Sequence, residues 1–476
     1  MLKSKLTLLF VLLLAKFAMA QDCDCKKNYQ WMKKTFAEND AGFPEVLRKK
    51  GIDAYNYHSK SIENRVSKIR DYDDCKKALE DWLRFFRTDH FRLTKTKATL
   101  DKQHKAQLYS PISIANEIDL ALFKDQVALL PTRSLVGLWE TGGNTFAVQK
   151  INNHFVASLV EDSGTWKKGT ILFSLGENLK EGTRYMSTYR PVPIEKVNYL
   201  DDNLLTVNEL TLKRVFPESH LKSNEDEFFR LKNSGETFGY KRNEKTVYVR
   251  IPSFSFNKKA IDSLLTSLDD VIKSTPNLII DLRDCQGGQD NNFAKLVPYL
   301  YSGATRTVLM EVLSTPRNNE IWNTLINNPD TDDEEKESYQ AIQSLLNKHV
   351  GEFVNIYGKT VVEAKNGKVL PYPQNIGVIV HENNFSTTEQ FLLLAKQSRK
   401  VKLFGRKTGG ALDVSNMIEA TSPMGDFVFE YCISRSLRIP EMEVDDMGIH
   451  PDFYLDKSIG EHKWVDFVSD RLNEWN

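Results

Sequence analysis

The sequence predicts an α/β core built on a parallel sheet, preceded by a small helical domain and a β-rich domain. In residues 26–100, apolar residues recur at helical spacing between many charges. In residues 130–230, short strand-like runs are separated by Gly, Asn and Asp. From about residue 240, apolar strands alternate with helices, a pattern typical of a parallel sheet covered on both faces.

The composition of the 476 residues is that of an ordinary globular protein, with 41% hydrophobic and 27% charged positions. It excludes long disorder, collagen-like repeats and membrane bundles. The 64 Lys and Arg equal the 64 Asp and Glu, so no basic excess points to a nucleic-acid partner. The predicted divisions are a helical domain over 21–110, a β-rich domain over 125–235 and the α/β core over 240–476.

Residues Met1–Ala20 are interpreted as a cleaved export signal. Two lysines precede the apolar run Leu6–Leu14, and small residues stand at the cleavage point. The alternative is a membrane anchor, for which this run is short. We therefore expect export to the periplasm or outside the cell, with no integral membrane span in the mature chain.

Export implies an oxidising compartment, where disulfides persist. Three of the five cysteines, Cys23, Cys25 and Cys75, cluster near the N-terminus. We expect one bridge, from Cys23 or Cys25 to Cys75. Metal binding by the Cys-Asp-Cys run is the weaker alternative, because no His or second Cys pair follows at finger spacing.

Helical spacing predicts helices over Trp31–Lys50 and Lys76–Phe86, and the helical domain is expected to end near Asp89 and His90. The β-rich region is predicted to form a small antiparallel barrel or sandwich. Its expected strands are Val136–Trp139, Thr145–Lys150, His154–Val160, Thr170–Leu175 and Leu204–Leu212.

The core is predicted from strands and helices in alternation, interrupted by an insertion at about 311–370. The insertion holds an acidic run and a helix-like stretch, Glu335–Val350. It is either a lid or rim over a site, or a solvated loop and helix without function. The predicted core elements are strands Thr246–Ile251, Asn277–Leu282, Ile376–Val380 and Lys400–Phe404, and helices Lys258–Ser274, Asn291–Leu300 and Thr387–Ser398.

The first candidate site lies in Leu278–Gly288, where an apolar strand ends in charged residues and then two glycines. Gly287 and Gly288 can expose backbone N–H groups of the kind that a developing oxyanion requires. The alternative is a plain Gly-Gly turn. Asp281 and Arg283 favour a functional interpretation, since buried charges must be paired.

The second candidate is Ser386, between an apolar strand and an apolar helix. A serine at such a turn lies at the positive end of the helix dipole, with its hydroxyl exposed. The alternative is a capping box, because Glu389 stands three residues later.

Two further segments add to these candidates. Gly405–Gly410 is glycine-rich but lacks the residue order of a phosphate loop, so a substrate wall is the favoured interpretation. Glu443–Phe453 gathers acidic residues beside a Gly-x-x-Pro turn, for which a surface turn is the alternative.

These four segments, in this order, resemble the tail-specific or C-terminal-processing serine peptidase family over about residues 240–310 and 375–460. The resemblance implies a crotonase-like α/β core. It makes Ser386 the nucleophile. It assigns the oxyanion hole to the N–H of Gly287 or Gly288 together with that of Thr387.

The processing branch of this family uses a Ser-Lys dyad, and here Ala411 stands where the lysine would be. A serine without a neighbouring base is a poor nucleophile. The sequence is closer to the tricorn-core-like branch, which uses Ser, His and an acidic helper. Arg87–Phe91 resembles the segment that carries the histidine, which indicates His90, and the helper position indicates Asp445.

On this basis neutral His90 would take the proton of Ser386, and Asp445 would hold the other imidazole nitrogen. His381 ranks second as the base because it is close to Ser386 in sequence, and His450 ranks third.

The sequence thus predicts an exported serine endopeptidase acting on peptides or unfolded protein segments, with no metal and no organic cofactor. A catalytically inactive binding protein on the same fold is the alternative, motivated by Ala411. A carbohydrate- or lipid-binding role for the aromatic β-rich domain around Trp139 and Trp166 is a third, although aromatic residues are more often core. The family's PDZ domain has no counterpart motif here, which leaves C-terminal specificity open.

Overall fold

The computed structural model describes residues 23–104, 110–113, 118–131, 133–164, 166–200, 202–218, 221–365 and 367–475. The expected export signal, Met1–Ala20, lies outside these residues. Within the described ranges, no helix combines the length and apolar character needed to cross a membrane.

The chain begins with a helical region whose core is aromatic. Its described helices are α1 (Cys25–Asn39), α2 (Phe43–Lys50), α3 (Ile52–Val66) and α4 (Tyr72–Leu83). The expected helix Trp31–Lys50 is broken because Asp40 ends α1 and accepts a hydrogen bond from the Gly42 amide at 2.9 Å. The helix α3 lies within residues 26–100, which were expected to be helical, although its bounds were not predicted.

A disulfide joins Cys25 and Cys75 and so links α1 to α4. The expected bridge is confirmed, and Cys25 is the partner of Cys75. Cys23 is a free, buried thiol in the part of the chain that the structure describes.

Strand β1 (Arg92–Lys95) and helices α5 (Lys97–His104) and α6 (Leu120–Ala128) follow. The strand β1 pairs antiparallel with residues 427–430 near the end of the chain. The helical region is therefore fastened to the C-terminal half of the molecule.

The β-rich region forms a single antiparallel sheet, ordered β7-β6-β5-β4-β3-β2-β10-β9-β8. Its edge strands β7 and β8 follow each other with only three residues between them, so the sheet curls into a half-barrel. The sandwich alternative is wrong. The strands are β2 (Gly137–Thr141), β3 (Asn144–Ile151), β4 (His154–Leu159), β5 (Ile171–Gly176), β6 (Gly182–Tyr185), β7 (Pro191–Pro193), β8 (Val197–Leu200), β9 (Leu204–Val207) and β10 (Leu210–Phe216).

The aromatic residues of this sheet form its core. Trp139 is fully buried, and its indole N–H donates to the Leu135 carbonyl at 2.9 Å. Trp166 is partly buried against the same cluster. Both contribute to packing, as the more frequent role of aromatic residues would suggest.

The α/β core follows helix α7 (Ser223–Asn233). Its elements, with those of the insertion, are β11 (Phe238–Lys241), β12 (Thr246–Arg250), α8 (Lys258–Ser274), β13 (Asn277–Asp281), α9 (Val297–Leu300), β14 (Thr305–Val308), β15 (Met310–Leu313), α10 (Pro316–Ile326), α11 (Asp333–Lys348), β16 (Phe353–Val354), β17 (Val361–Ala364), β18 (Asn375–Val380), α12 (Thr387–Ala395), β19 (Val401–Gly405), β20 (Val414–Thr421), β21 (Phe427–Ser436), β22 (Phe453–Tyr454) and α13 (Trp464–Glu474). A 3-10 helix, Asp290–Leu296, precedes α9.

The central sheet has the order β11-β12-β13-β18-β19-β22. All its neighbours are parallel except β11 and β12. Apolar residues of α8 and α12 pack against one face, and those of α13 pack against the other. The predicted parallel sheet with two covered faces is confirmed.

The insertion is not a solvated loop. Its strands β15 and β16 join β21 and β1 in a second sheet, in which β20 also pairs with β21. Thr315 Oγ1 donates to Asn39 Oδ1 at 2.7 Å, and Asn318 Nδ2 donates to the Asn39 carbonyl at 2.9 Å. The insertion therefore packs against the helical region, and its helix α11 matches the predicted stretch 335–350 within a few residues.

Parallel pairing places the carboxyl ends of β13, β18 and β19 at one edge of the central sheet. The loops that leave these strands carry Gly287 and Gly288, Ser386, and the glycine-rich run 405–410. In open α/β sheets, this edge is where ligands bind.

Candidate active site

Ser386 occupies a sharp turn between β18 and α12. Its backbone lies in the left-handed region, with φ 57° and ψ −127°, and its side chain is partly exposed. The hydroxyl makes no capping hydrogen bond. Glu389 points instead to the amides of Gly410 and Ala411, at 2.9 Å each. The capping-box alternative is therefore wrong, and the serine hydroxyl is available.

The turn is held from two sides. The Ser386 amide donates to the Ala411 carbonyl at 2.8 Å. The fully buried Asn384 side chain donates through Nδ2 to the carbonyls of Leu282 (2.6 Å) and Cys285 (3.0 Å). The loop after β13 and the serine turn are thereby fixed to each other.

Gly287 lies directly against this turn. A Cβ built on it would stand 2.9 Å from Ser386 Cβ and 3.1 Å from the Thr387 nitrogen. Its φ of 113° and that of Gly288, 144°, are also values that side chains rarely adopt. Thr387 is the first residue of α12, so its N–H has no acceptor within the helix. The structure thus brings Ser386, Thr387 and the two glycines together, as expected.

The glycine-rich run forms the wall behind the serine. Buried Glu389 accepts from Thr408 Oγ1 at 2.5 Å in addition to the two amides. Burial raises the pKa of Glu389 to about 7. Ala411, at the position of the dyad lysine, is buried and engages Glu389 and Ser386 through its backbone. The side chain at this position contributes no base.

His90 is 6% exposed and, like Ser386, has a φ of 57°. Its Nδ1 lies 2.5 Å from the Val414 carbonyl oxygen. A carbonyl can only accept, so we assign the proton to Nδ1, which leaves Nε2 as an acceptor in the neutral ring. Burial, and to a lesser degree Arg87, lower the pKa of His90 and favour that neutral form.

The serine and the histidine are both tied to one short stretch of chain. The Ser386 amide binds the Ala411 carbonyl, and the His90 ring binds the Val414 carbonyl. Three residues of chain span at most about 11 Å. Two segments almost 300 residues apart in sequence are therefore both anchored on residues 411–414.

Arg87 and Asp40, which the sequence analysis did not identify, fix the His90 backbone. The buried Arg87 guanidinium donates to the His90 carbonyl at 2.8 Å and to both carboxylate oxygens of Asp40, at 2.8 and 2.6 Å. Asp40 also accepts from the Cys432 amide at 3.1 Å. The signal available in the sequence was the position of Arg87, three residues before His90.

Asp445 does not make the direct contact with the imidazole that was expected. Its Oδ1 accepts from the amides of Leu412 (2.6 Å) and Asp413 (2.7 Å), and its Oδ2 accepts from that of Val414 at 3.1 Å. Burial first, and then the Asp413 charge, raise the pKa of Asp445 to about 6. Asp445 reaches His90 through the backbone of Val414.

The remaining charged candidates have other partners. The His381 ring lies among the carboxylates of Asp284, Glu382 and Glu461, with Nε2 3.2 Å from Glu382. His450 is exposed. Asp281 and Arg283, by contrast, are paired and buried beneath the loop, with Arg283 Nη2 2.5 Å from Asp281 Oδ2. The ion pair itself accounts for the burial of these two charges.

Comparison with known proteins gives one family match and several fold likenesses. Residues 245–455 match the model of peptidase family S41. No curated protein matches the chain.

Among solved structures, mature CPAF is similar at 13% identity and a TM-score of 0.48, over 94% of this chain and 95% of that one. The photosystem II D1 C-terminal processing protease is similar at 11% identity and a TM-score of 0.37, over 92% and 95%. The tricorn protease is similar at 11% identity and a TM-score of 0.42, over 95% of this chain and 36% of that one.

The matched residues 245–455 contain the serine turn, Gly287, Gly288 and Asp445, whereas His90 lies outside them. That match covers somewhat less than half of the chain, and on it the chain is a serine-type peptidase whose core is similar to peptidase family S41.

Proposed function

We propose that this protein is an exported endopeptidase that cleaves peptides or unfolded protein segments through an acyl-enzyme on Ser386. The observation that carries the proposal is the uncapped Ser386 hydroxyl on a turn tied to Ala411, three residues from the carbonyl that orients His90. A serine needs such a base to become a nucleophile at neutral pH.

In the proposed reaction, His90 Nε2 accepts the Ser386 proton while Oγ attacks the peptide carbonyl. The oxyanion is stabilised by the N–H of Thr387 with that of Gly287 or Gly288. The imidazolium then donates its proton to the leaving amine, which breaks the C–N bond and leaves an ester on Ser386. Water, deprotonated by His90, hydrolyses that ester.

The proposed role of Asp445 is to position the base. Its carboxylate holds the amides of residues 412–414, and Val414 accepts the hydrogen bond from Nδ1. When the imidazolium forms, the hydrogen bond to Val414 becomes charge-assisted and strengthens. Asp445 thus acts on His90 without touching it.

Export and a periplasmic or extracellular location remain part of the proposal. The apolar start of the chain and the Cys25–Cys75 disulfide support it, because such bridges persist in oxidising compartments. N-terminal sequencing of the protein purified from a producing cell is expected to begin at Gln21. A sequence that begins at Met1 would contradict export by cleavage.

The experiment that tests the proposal compares the wild type with Ser386→Ala on a casein-type substrate and with a fluorophosphonate probe. We expect hydrolysis and labelling in the wild type and neither in the variant. Ser458→Ala, at an exposed loop serine, is the matched control and should behave as the wild type. Equal hydrolysis by wild type and Ser386→Ala would contradict the proposal, as would a wild type that neither hydrolyses nor labels, which would indicate a binding protein.

A further inference from the structure

A carboxylate that the proposed mechanism does not use stands beside the nucleophile. Asp290 is exposed, two residues after Gly288 in sequence. The Thr387 hydroxyl lies 2.9 Å from Asp290 Oδ1 and also 2.9 Å from the Gly288 carbonyl. A hydroxyl has one proton and donates to only one of them at a time, so Asp290 retains free acceptor capacity.

Asp290 has no cationic side chain within 4.0 Å among the residues that the structure describes. Arg438 acts on it electrostatically, but the Arg438 guanidinium is buried and bound through Nε to Asp413 at 2.9 Å. Burial raises the pKa of Asp290, and a cation bound beside it would favour its carboxylate form.

The insertion carries an exposed aromatic residue whose phenol is affected by the charge of Asp290. Tyr357, between β16 and β17, is 46% exposed. Burial, and secondarily the Asp290 carboxylate, raise the pKa of its phenol. A carboxylate binds ammonium and guanidinium groups through charge-assisted hydrogen bonds, and an aromatic face within reach of the bound cation adds to the attraction. A rim over the site, one of the two roles expected for the insertion, stays a prediction.

The distances suit a side chain of the bound peptide. A scissile carbonyl oxygen on the Thr387 N–H would lie about 3 Å from that nitrogen. Asp290 is one hydrogen bond from the side chain of the same threonine. A lysine ammonium stands about 6 Å from its Cα, so a lysine or arginine beside the scissile bond can reach the carboxylate.

We infer that Asp290 forms a subsite for a basic side chain adjacent to the scissile bond, so that the substrates are peptides carrying Lys or Arg there. This inference rests on the proposed function and gives it a substrate class.

The test uses fluorogenic peptides that differ at one residue, with Lys, norleucine or Glu placed in turn before and after the scissile bond. Norleucine retains most of the lysine stem without the charge. For one of the two positions we expect the wild type to show a kcat/KM about 10-fold higher for Lys than for norleucine, the ratio that about 1.4 kcal/mol produces. The Glu peptide should be the poorest.

The decisive variant is Asp290→Asn, whose amide oxygen can still accept from Thr387 while the charge is removed. The ratio of kcat/KM for Lys over norleucine should fall to near 1. Asp290→Lys should reverse the preference towards Glu. Asp333→Asn, at a fully exposed carboxylate of α11, is the matched control and should keep the wild-type ratio.

A Lys-to-norleucine ratio that is the same in wild type and Asp290→Asn would overturn the subsite, while Ser386-dependent hydrolysis would leave the proposed function in place. Absence of Ser386-dependent hydrolysis for every peptide would instead overturn the proposed function, and the subsite with it.

Discussion

The turn that carries Ser386 and the turn that carries His90 each place that residue at a φ of 57°. They are held in different ways. Ser386 sits between β18 and α12, and its amide binds a carbonyl of the neighbouring loop. His90 sits between α4 and β1, and its carbonyl is bound by the buried Arg87, which is paired with Asp40.

The serine turn is thus supported by regular secondary structure, whereas the histidine turn is supported by a buried ion pair. The serine turn follows from a strand and a helix that are adjacent in sequence. The histidine turn depends on a guanidinium and a carboxylate that lose their hydration, and removing one of them leaves the other buried without an opposite charge. Placement of the proposed base therefore depends on how the helical region docks.

The largest expected effect comes from removing the base itself. His90→Ala should lower kcat/KM by about 10⁴-fold or more, nearly as much as Ser386→Ala, because the two residues act as a unit. The double variant should lose little further activity. Steady-state kinetics on one peptide substrate measure this.

His450→Ala, at the exposed third-ranked histidine, is the control and should retain activity. If His381→Gln abolished hydrolysis while His90→Ala did not, the result would show that His381 is the base and His90 is not.

The next effect concerns the support of the histidine turn. Arg87→Lys keeps the charge beside Asp40 but cannot make the paired hydrogen bonds or reach the His90 carbonyl in the same geometry. We expect kcat to fall about 100-fold with KM nearly unchanged, since a misplaced base affects the chemical step more than binding. A split of kcat from KM distinguishes positioning from general destabilisation.

Arg92→Lys provides the control, because its side chain is 62% exposed. An Arg87→Lys variant with wild-type kcat would show that His90 does not need this support.

The serine turn has its own support in Asn384. Asn384→Ala leaves the buried carbonyls of Leu282 and Cys285 without a donor, so we expect about 1–3 kcal/mol loss in the free energy of unfolding. We also expect a fall of about 10-fold in kcat, because the loop of Gly287 loses its tie to the serine. Urea denaturation and kinetics measure the two effects.

The neighbouring Asn383→Ala is the control, since its side chain is exposed and binds Asp284. Equal stability of the two variants would contradict the role assigned to Asn384.

The smallest effect is a pH dependence of stability from Asp445. Its pKa of about 6 in the fold lies above the usual value for aspartate. The carboxyl therefore contributes stability that is complete below about pH 4 and is lost as the pH rises through about 6. In Asp445→Asn this dependence should disappear, which changes the difference in unfolding free energy between wild type and variant by about 2 kcal/mol from pH 4 to 7. A difference that does not vary with pH would contradict the raised pKa.

The central sheet could be predicted because its signals are local. Helix α8 has the predicted bounds, and strand β18 differs from its prediction by one residue, since apolar periodicity alone defines such elements. The break at Asp40 and the bounds of helix α3 were missed because the periodic pattern continues across the first and is weak in the second. The curl of the β-rich sheet depends on how its edge strands are connected, which the sequence of a single strand does not indicate.

The candidate site divides in the same way. Ser386, Gly287 and Thr387 come together because parallel strands bring their loops to one edge of the sheet. The pattern Ser-x-x-Glu is compatible both with a capping box and with the observed bonding of Glu389 to residues 408–411. Only the tertiary contact with those residues decides between the two. The partner of His90 Nδ1 was expected to be Asp445 rather than a carbonyl. Every residue has a backbone carbonyl, so the sequence does not indicate which one accepts the hydrogen bond.

The most direct test of the proposed relay is the rate at which a fluorophosphonate labels Ser386 as a function of pH, in the wild type and in His90→Ala. The wild-type rate should rise with pH and level off, with an apparent pKa below the usual 6.5 of histidine, because burial favours the neutral ring. The variant should label about 1,000-fold more slowly and show no such inflection. A His90→Ala variant that labels at the wild-type rate with the same pH profile would contradict the account.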